Sequence, residues 1–246
     1  MKKFISVFFS LALTVSLLSS SAEASVLVSF KSGRIIQQES TVPPFNGINV
    51  GGPFNVIVKL GQKEEIRIEG DKEIVKRIET KVESSILRIG FKERKMSWNW
   101  SNDGGQKVKI YVTVKSLKSI SVSGSGKVVV QGTVKGDSLA SVVSGSGNLT
   151  VDADVKSYTA VISGSGAITT SGSANSTEVT VSGSGSFRGK DLIADEAEVR
   201  ISGSGSATLH AENHLEAVLS GSGNIRYSGD PHVDVTKSGS GSVSKL

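Results

Sequence analysis

The sequence predicts an all-β solenoid: short strands stacked in parallel as coils of about 18–21 residues, with one short helix in the N-terminal half. Three observations carry this. The word Ser-Gly-Ser-Gly occurs seven times, at 123–126, 144–147, 163–166, 182–185, 202–205, 220–223 and 238–241, with successive copies starting 21, 19, 19, 20, 18 and 18 residues apart. Every copy sits in an apolar frame. Finally, the chain has no cysteine and only 5% aromatic residues, so a narrow core of small and β-branched side chains must hold it together.

The frame is specific. Immediately before the copies stand Val122, Val143, Ile162, Val181, Ile201, Leu219 and Lys237; two residues after them come Val128, Leu149, Ile168, Phe187, Ala207, Ile225 and Val243. Apolar residues at alternate positions read as strands with one buried face. The glycines between them are expected to supply a bend that a Cβ would obstruct. The first glycines of the copies are Gly124, Gly145, Gly164, Gly183, Gly203, Gly221 and Gly239. The second glycines are Gly126, Gly147, Gly166, Gly185, Gly205, Gly223 and Gly241. Three strands of four or five residues with turns fill one such period, and coils in parallel register rise about 4.8 Å each. A flexible Gly/Ser linker would lack the apolar frame. An antiparallel sandwich of hairpins is the competing architecture, but hairpins rarely keep a four-residue word in register seven times.

The front of the chain is irregular but continuous with the repeats. Met1-Lys2-Lys3, the apolar stretch from Phe4 to Leu18 and Ala22-Glu23-Ala24 have the form of a secretory signal, expected to be cleaved after Ala24. No other stretch is long and apolar enough for a membrane span. Residues 25–41 are expected to be a lead-in with one strand at Val26–Phe30. Alternation then begins with Phe54, Val56, Val58 and Leu60, followed by Ile66 and Ile68. Asp71 is expected to cap a short helix in which Ile74, Val75, Ile78 and Val82 fall at helical spacing. Strands resume with Leu87, Ile89 and Phe91, and with Val108, Ile110, Val112 and Val114. Residues 42–246 are therefore expected to be one domain, with irregular coils over 42–118 and repeat coils over 119–246.

The net charge is +5, unevenly spread. Residues 59–118 hold 15 Lys/Arg against 9 Asp/Glu, and residues 119–246 hold 9 against 12. A basic half favours anionic partners such as lipid head groups or acidic glycans, while the interleaved acids fit an ordinary solvated surface. Nucleic acid is not an expected partner of an exported chain.

Phe45-Asn46-Gly47-Ile48-Asn49-Val50, Gly52-Pro53-Phe54-Asn55-Val56, the strand and turn from Ile66 to Asp71, and Val108–Val114 leading into the repeats resemble the bacterial DUF2807 family, also called the auto-transporter adhesin head GIN domain. The resemblance covers roughly residues 33–246. It implies a single-stranded right-handed parallel β-helix in an exported envelope protein. No segment of alternating lipid-facing strands follows, so the chain itself gives no expectation of an autotransporter mechanism.

Little in the sequence points to catalysis. The repeat serines lack a G-x-S-x-G elbow, and only His210, His214 and His232 are available to orient a nucleophile. His210 and His214 are four apart, but Ala211 stands where H-E-x-x-H needs glutamate, so at most a weak metal pair is expected. The glycine words complete neither a G-x-G-x-x-G nor a Walker motif. The acidic groups Asp152/Asp154, Asp195/Glu196/Glu198 and Glu212/Glu216 sit at differing offsets in their repeats, which gives no expectation of a convergent carboxylate cleft. No cofactor, no metal and no enzyme activity are expected, and a carbohydrate-active enzyme is the least favoured class.

The remaining candidate is the segment 92–107, which interrupts two strands and carries both tryptophans. Trp98 and Trp100 at i, i+2 offer flat surfaces for sugar rings, with Asn99 and Asn102 beside them for hydroxyls; packing of the rings onto the solenoid flank is the alternative. The expectation is a non-catalytic adhesin-like module for glycan or another envelope component, in the periplasm or at the cell surface. The alternative is a structural protein that self-associates through the solenoid ends, since the last coil, Val233–Leu246, lacks an obvious cap.

Overall fold

The computed structural model describes residues 26–30, 35–92 and 108–246. The expected signal segment and the tryptophan-bearing residues lie outside them. The described residues form a β-solenoid of about 7 turns with one short helix, the architecture the repeat predicts.

Each regular coil has two faces that meet at the Ser-Gly-Ser-Gly corner. Along the entry face run β3 (Gly47–Gly51), β7 (Ile86–Phe91), β9 (Ser119–Gly124), the C-terminal parts of the long strands β10 (Lys127–Gly145), β11 (Asn148–Gly164), β12 (Ala167–Gly183), β13 (Ser186–Gly203) and β14 (Ser206–Gly221), and β16 (His232–Ser238). The exit face is built from β4 (Asn55–Leu60), β8 (Lys109–Val114), the N-terminal parts of β10–β14, β15 (Asn224–Ser228) and β17 (Ser242–Lys245). A third side bends through the middle of the long strands. Inward positions form continuous columns: Val122, Val143, Ile162, Val181, Ile201 and Leu219 are all at most 2% exposed. Each such side chain contributes roughly 1.5–3 kcal/mol by burial.

The parallel register runs unbroken through the Ser-Gly-Ser-Gly column, from Gly124 to Gly145, Gly164, Gly183, Gly203 and Gly221. Differences in coil length are absorbed elsewhere. The extra residues enter as bulges on the third side, between Val129 and Thr133, between Thr169 and Ser171, and between Gly189 and Ile193.

The N-terminal end departs from simple coiling. Strands β5 (Glu65–Asp71), β2 (Ile35–Thr41) and β1 (Val26–Phe30) extend the exit face beyond β8 by antiparallel pairing, and β6 (Ile78–Glu83) pairs antiparallel with β7. The lead-in thus holds two strands, not one. Helix α1 (Lys72–Val75) is capped by Asp71, whose carboxylate accepts from the Glu73 N–H at 2.9 Å. It is only four residues long. Ile78 and Val82, expected on the helix, lie on β6: Ile78, Thr80 and Val82 also alternate with period two. The turn at Ser84 and Ser85, both in the left-handed region at φ 50° and 61°, folds that segment back onto β7.

Chain order and spatial order differ here. The β3–β4 coil lies between the β7–β8 coil and the β9–β10 coil, because β3 pairs with both β7 and β9, and β4 pairs with both β8 and β10. Strand β8 is accordingly inserted between β4 and β5, which precede it in the chain.

Candidate functional site

The turn column is built from backbone, and its two glycines do different things. The bend expected of both belongs to the first alone. Gly124, Gly145, Gly164, Gly183, Gly203, Gly221 and Gly239 have φ between +104° and +119°, which an L side chain rarely adopts. The second glycines, Gly126, Gly147, Gly166, Gly185, Gly205, Gly223 and Gly241, do not take a positive φ. What they need is space. A Cβ on Gly126 would stand 2.6 Å from Gly52 O, and one on Gly185 or Gly205 would stand 2.8 Å from the carbonyl oxygen of Gly166 or Gly185, one coil back. At Gly147, Gly166 and Gly223 the same distance is 2.5–2.9 Å, and Gly241 is crowded in the same way by the Gly223 backbone and Leu219. The second glycine is therefore needed for close coil-to-coil approach alone, whereas the first needs both its positive φ and the space, since a Cβ on Gly145 or Gly164 would stand 2.8 or 2.7 Å from the carbonyl oxygen one coil back; the repeated word itself does not reveal this distinction.

That closeness lets the ladder pass through the corner. Ser165 N–H donates to Gly145 O at 2.9 Å and Ala167 N–H to Gly147 O at 3.0 Å, and the pattern recurs up the stack. Beside the glycines, the serines from Ser144 onward stand exposed on the outside of the corner.

One corner is different. Gly51 to Asn55 turns the β3–β4 coil in the same way, with Gly52 N–H donating to Ser123 O at 3.0 Å. In the neighbouring coil β7 ends at Phe91 and β8 starts at Lys109, so residues 92–108 separate two strands that the repeats join through two or three residues; this longer connection is termed the expanded corner. Its start is anchored: Lys92 N–H donates to Arg77 O at 2.9 Å, and Lys92 Nζ to Lys76 O at 2.7 Å. Phe91 also lies against the buried Phe54, ring centroids 4.9 Å apart. Trp98, Asn99, Trp100 and Asn102 belong to this expanded corner and fall outside the described residues.

The acidic groups partly converge, against expectation. Glu198 and Glu216 occupy registered positions on β13 and β14, in one outward entry-face column with Glu178 and Asp234. Arg200 answers both, pairing with Glu198 and lying 3.7 Å from Glu216. Asp152 and Asp154 face a different side, where Thr133 Oγ1 donates to Asp152 at 2.8 Å and Ser173 Oγ to Asp154 at 2.9 Å. The alignment of Glu198 with Glu216 is present in the sequence, because both stand four residues before a Ser-Gly-Ser-Gly copy, as Glu178 and Asp234 also do.

The histidines separate. His210 Nε2 lies 2.8 Å from the Glu212 carboxylate and Nδ1 lies 3.0 Å from Ser228 Oγ. His214 stacks on His232 of the next coil, ring centroids 6.0 Å apart, with Asp234 3.8 and 3.5 Å from the two rings. The chain bends between His210 and His214, so they do not form a pair. No group of three His, Cys, Asp or Glu among the described residues is placed to hold a metal ion.

The core holds one polar surprise. Tyr158 is fully buried, and neither its hydroxyl nor those of Ser141, Thr170 and Thr177 makes a well-formed hydrogen bond. Burial pushes the phenol's pKa up, and the nearby Ser141 and Thr170 hydroxyls oppose that shift only partly.

A β-solenoid with a glycine-turn column defines a repeat protein, and among the described strands only β7 and β8 are joined across that corner by more than three residues. The chain belongs to the DUF2807 family, described as "Putative auto-transporter adhesin, head GIN domain", whose model matches residues 44–231. It is similar to a solved Bacteroides fragilis structure described as a "putative adhesin", with 25% identity and a TM-score of 0.80 over 87% of this chain and 98% of that one. Two Parabacteroides distasonis structures share the fold at 23% identity over the same fractions. One is described as a "Putative lipid binding protein", TM-score 0.69, and the other as a "putative adhesin", TM-score 0.70. No curated protein matches the chain. No helix among the described residues is long and apolar enough to cross a membrane.

Proposed function

We propose that this protein is an exported, non-catalytic adhesin-like module that binds glycan or another cell-envelope component through its expanded corner, after signal cleavage behind Ala24. The observation that carries the reading is the insertion between Phe91 and Lys109 at a corner that every repeat closes with one four-residue word. Insertions into a solenoid repeat collect on its binding face, and this one holds both tryptophans of the chain. Membership of an adhesin family and likeness to a solved adhesin-type structure support export and surface binding. Trp98→Ala/Trp100→Ala is expected to weaken binding to purified envelope glycans by about tenfold or more while leaving the circular dichroism spectrum unchanged. Binding equal to that of the unaltered protein overturns the assignment of the loop.

One observation favours self-association as a second reading. Among the described residues, strands β16 and β17 each pair on one side only, which leaves an open ladder at the C-terminal end of the stack. Against it, the residues registered with Leu219 and Tyr227 in that last coil are Lys237 and Lys245.

A further inference from the structure

Register sorts the charges by face in a way that chain order conceals. In the two outward columns of the exit face nearest the turns, from β8 through β4 and β10 to β17, the charged residues are Lys109, Lys127, Arg188 and Arg226. No carboxylate occupies these columns; the other positions hold mainly Asn, Ser, Thr and small apolar side chains. All four cations are exposed, and none has an ion-pair partner among the described residues. Glu69, opposite Lys109 on β5, is engaged by Arg67 at 3.4 Å. Asp152 is the next outward residue beyond Thr150 on β11, outside the two columns, and accepts from Thr133 Oγ1 at 2.8 Å, while Asp191 lies beside Lys190 at 3.8 Å. The entry face is the opposite, with Glu178, Glu198, Glu216 and Asp234 in line.

The cations form a line. Lys109 and Lys127 are two strands apart, as are Arg188 and Arg226, which is roughly 10 Å for each pair, and the whole line spans about 34 Å along the axis. A line of separated cations with hydroxyl and amide groups between them fits an extended chain bearing an anion at intervals. A bilayer surface would instead favour a compact basic cluster.

We propose that the exit face is a track for a linear anionic polysaccharide lying along the solenoid axis. Its carboxylate or sulfate groups sit on Lys109, Lys127, Arg188 and Arg226, and its hydroxyls bond the intervening side chains. The acidic entry face turns the same polymer away, so it has one side on which to lie. This names the ligand class of the glycan reading above and rests on it. The track starts beside the expanded corner, because Lys109 is the first residue of β8.

The test is binding of the purified protein to polygalacturonate, with neutral dextran and phosphatidylglycerol vesicles alongside. Lys109→Gln/Lys127→Gln/Arg188→Gln/Arg226→Gln is compared with a variant losing four cations elsewhere, Lys81→Gln/Arg88→Gln/Lys135→Gln/Lys156→Gln. The expected result is polygalacturonate binding that weakens with salt, falls about tenfold or more in the exit-face variant and stays within about twofold in the other. Equal losses in both variants, no preference over dextran, or binding to vesicles that polygalacturonate does not displace would each overturn the track. Trp98→Ala/Trp100→Ala is measured in parallel. If it binds normally while the exit-face variant does not, the loop reading fails and the track stands; if only the tryptophan variant loses binding, the reverse holds.

Discussion

At the corner of each coil, a methyl group is the difference between a continuous ladder and a broken one. A Cβ on Gly166 would stand 2.5 Å from both the Gly147 carbonyl oxygen and Val143 Cγ1, with the backbone of two coils already hydrogen-bonded around it. Gly166→Ala is therefore expected to destabilise by about 3 kcal/mol, read by chemical denaturation. At Gly90, whose nearest neighbour to a Cβ is 3.7 Å away and whose backbone needs no positive φ, alanine should stay within about 0.5 kcal/mol. Tyr158 makes a prediction of a different kind. Its folded-state pKa is raised, so above the ordinary phenol range near 10 the unfolded chain loses this proton while the folded one keeps it. Stability should thus be intact below that pH and fall as pH rises through it. Tyr158→Phe should flatten that alkaline decline without loss at neutral pH, because the hydroxyl it removes has no well-formed partner. An unchanged alkaline slope would sink the assignment.

At the scale of strands, the two ends of the stack are finished differently. The N-terminal end is covered by antiparallel β1, β2, β5 and β6. The C-terminal end is finished by charge: Lys237 continues the column of Val122 through Leu219, and Lys245 continues that of Leu209 and Tyr227, its Nζ reaching Asp230 at 3.0 Å. Lysines at inward positions make edge-to-edge pairing costly. Lys237→Val/Lys245→Val is expected to convert the protein to concentration-dependent dimers or larger species in sedimentation velocity; a variant that sediments as the parent does would remove this role. The repeat strands were legible in the sequence because word and frame recur together, as at Val143 and Leu149 around Ser144–Gly147. Strand β2 and the hairpin of β6 with β7 were not. Ile78 and Val82 satisfy helical and strand spacing at once, and only the left-handed Ser84–Ser85 turn decides between them.

Across the whole molecule, the fold was more readable than the surface. Inward columns depend on local alternation, which each coil states again, whereas outward columns depend on register between residues about twenty apart. Bulges near Thr133, Ser171 and Ile193 vary the spacing between successive copies, so the outward columns line up only when counted from each Ser-Gly-Ser-Gly word, as Arg188 and Arg226 do three residues after theirs. The sequence therefore shows a basic first half and an acidic second half, while the structure shows a basic exit face and an acidic entry face. The expanded corner was visible as a sequence anomaly, Trp98 and Trp100 in a polar stretch. The places of the strands that flank it needed the pairing of β7 with β3 and of β8 with β4.

The insertion of β8 between β4 and β5 also governs the order in which the molecule can assemble. Strand β3 gains its outer neighbour from residues 86–89, but β4 has none until residues 109–114 have joined it, so the N-terminal end closes as one cooperative unit with long loops to bring together. From there each repeat needs only the edge left by the one before, and about twenty more residues complete another layer. A chain delivered N-terminus first would therefore complete its slow step early and grow by templating afterwards, with Lys237 and Lys245 as the point where growth stops.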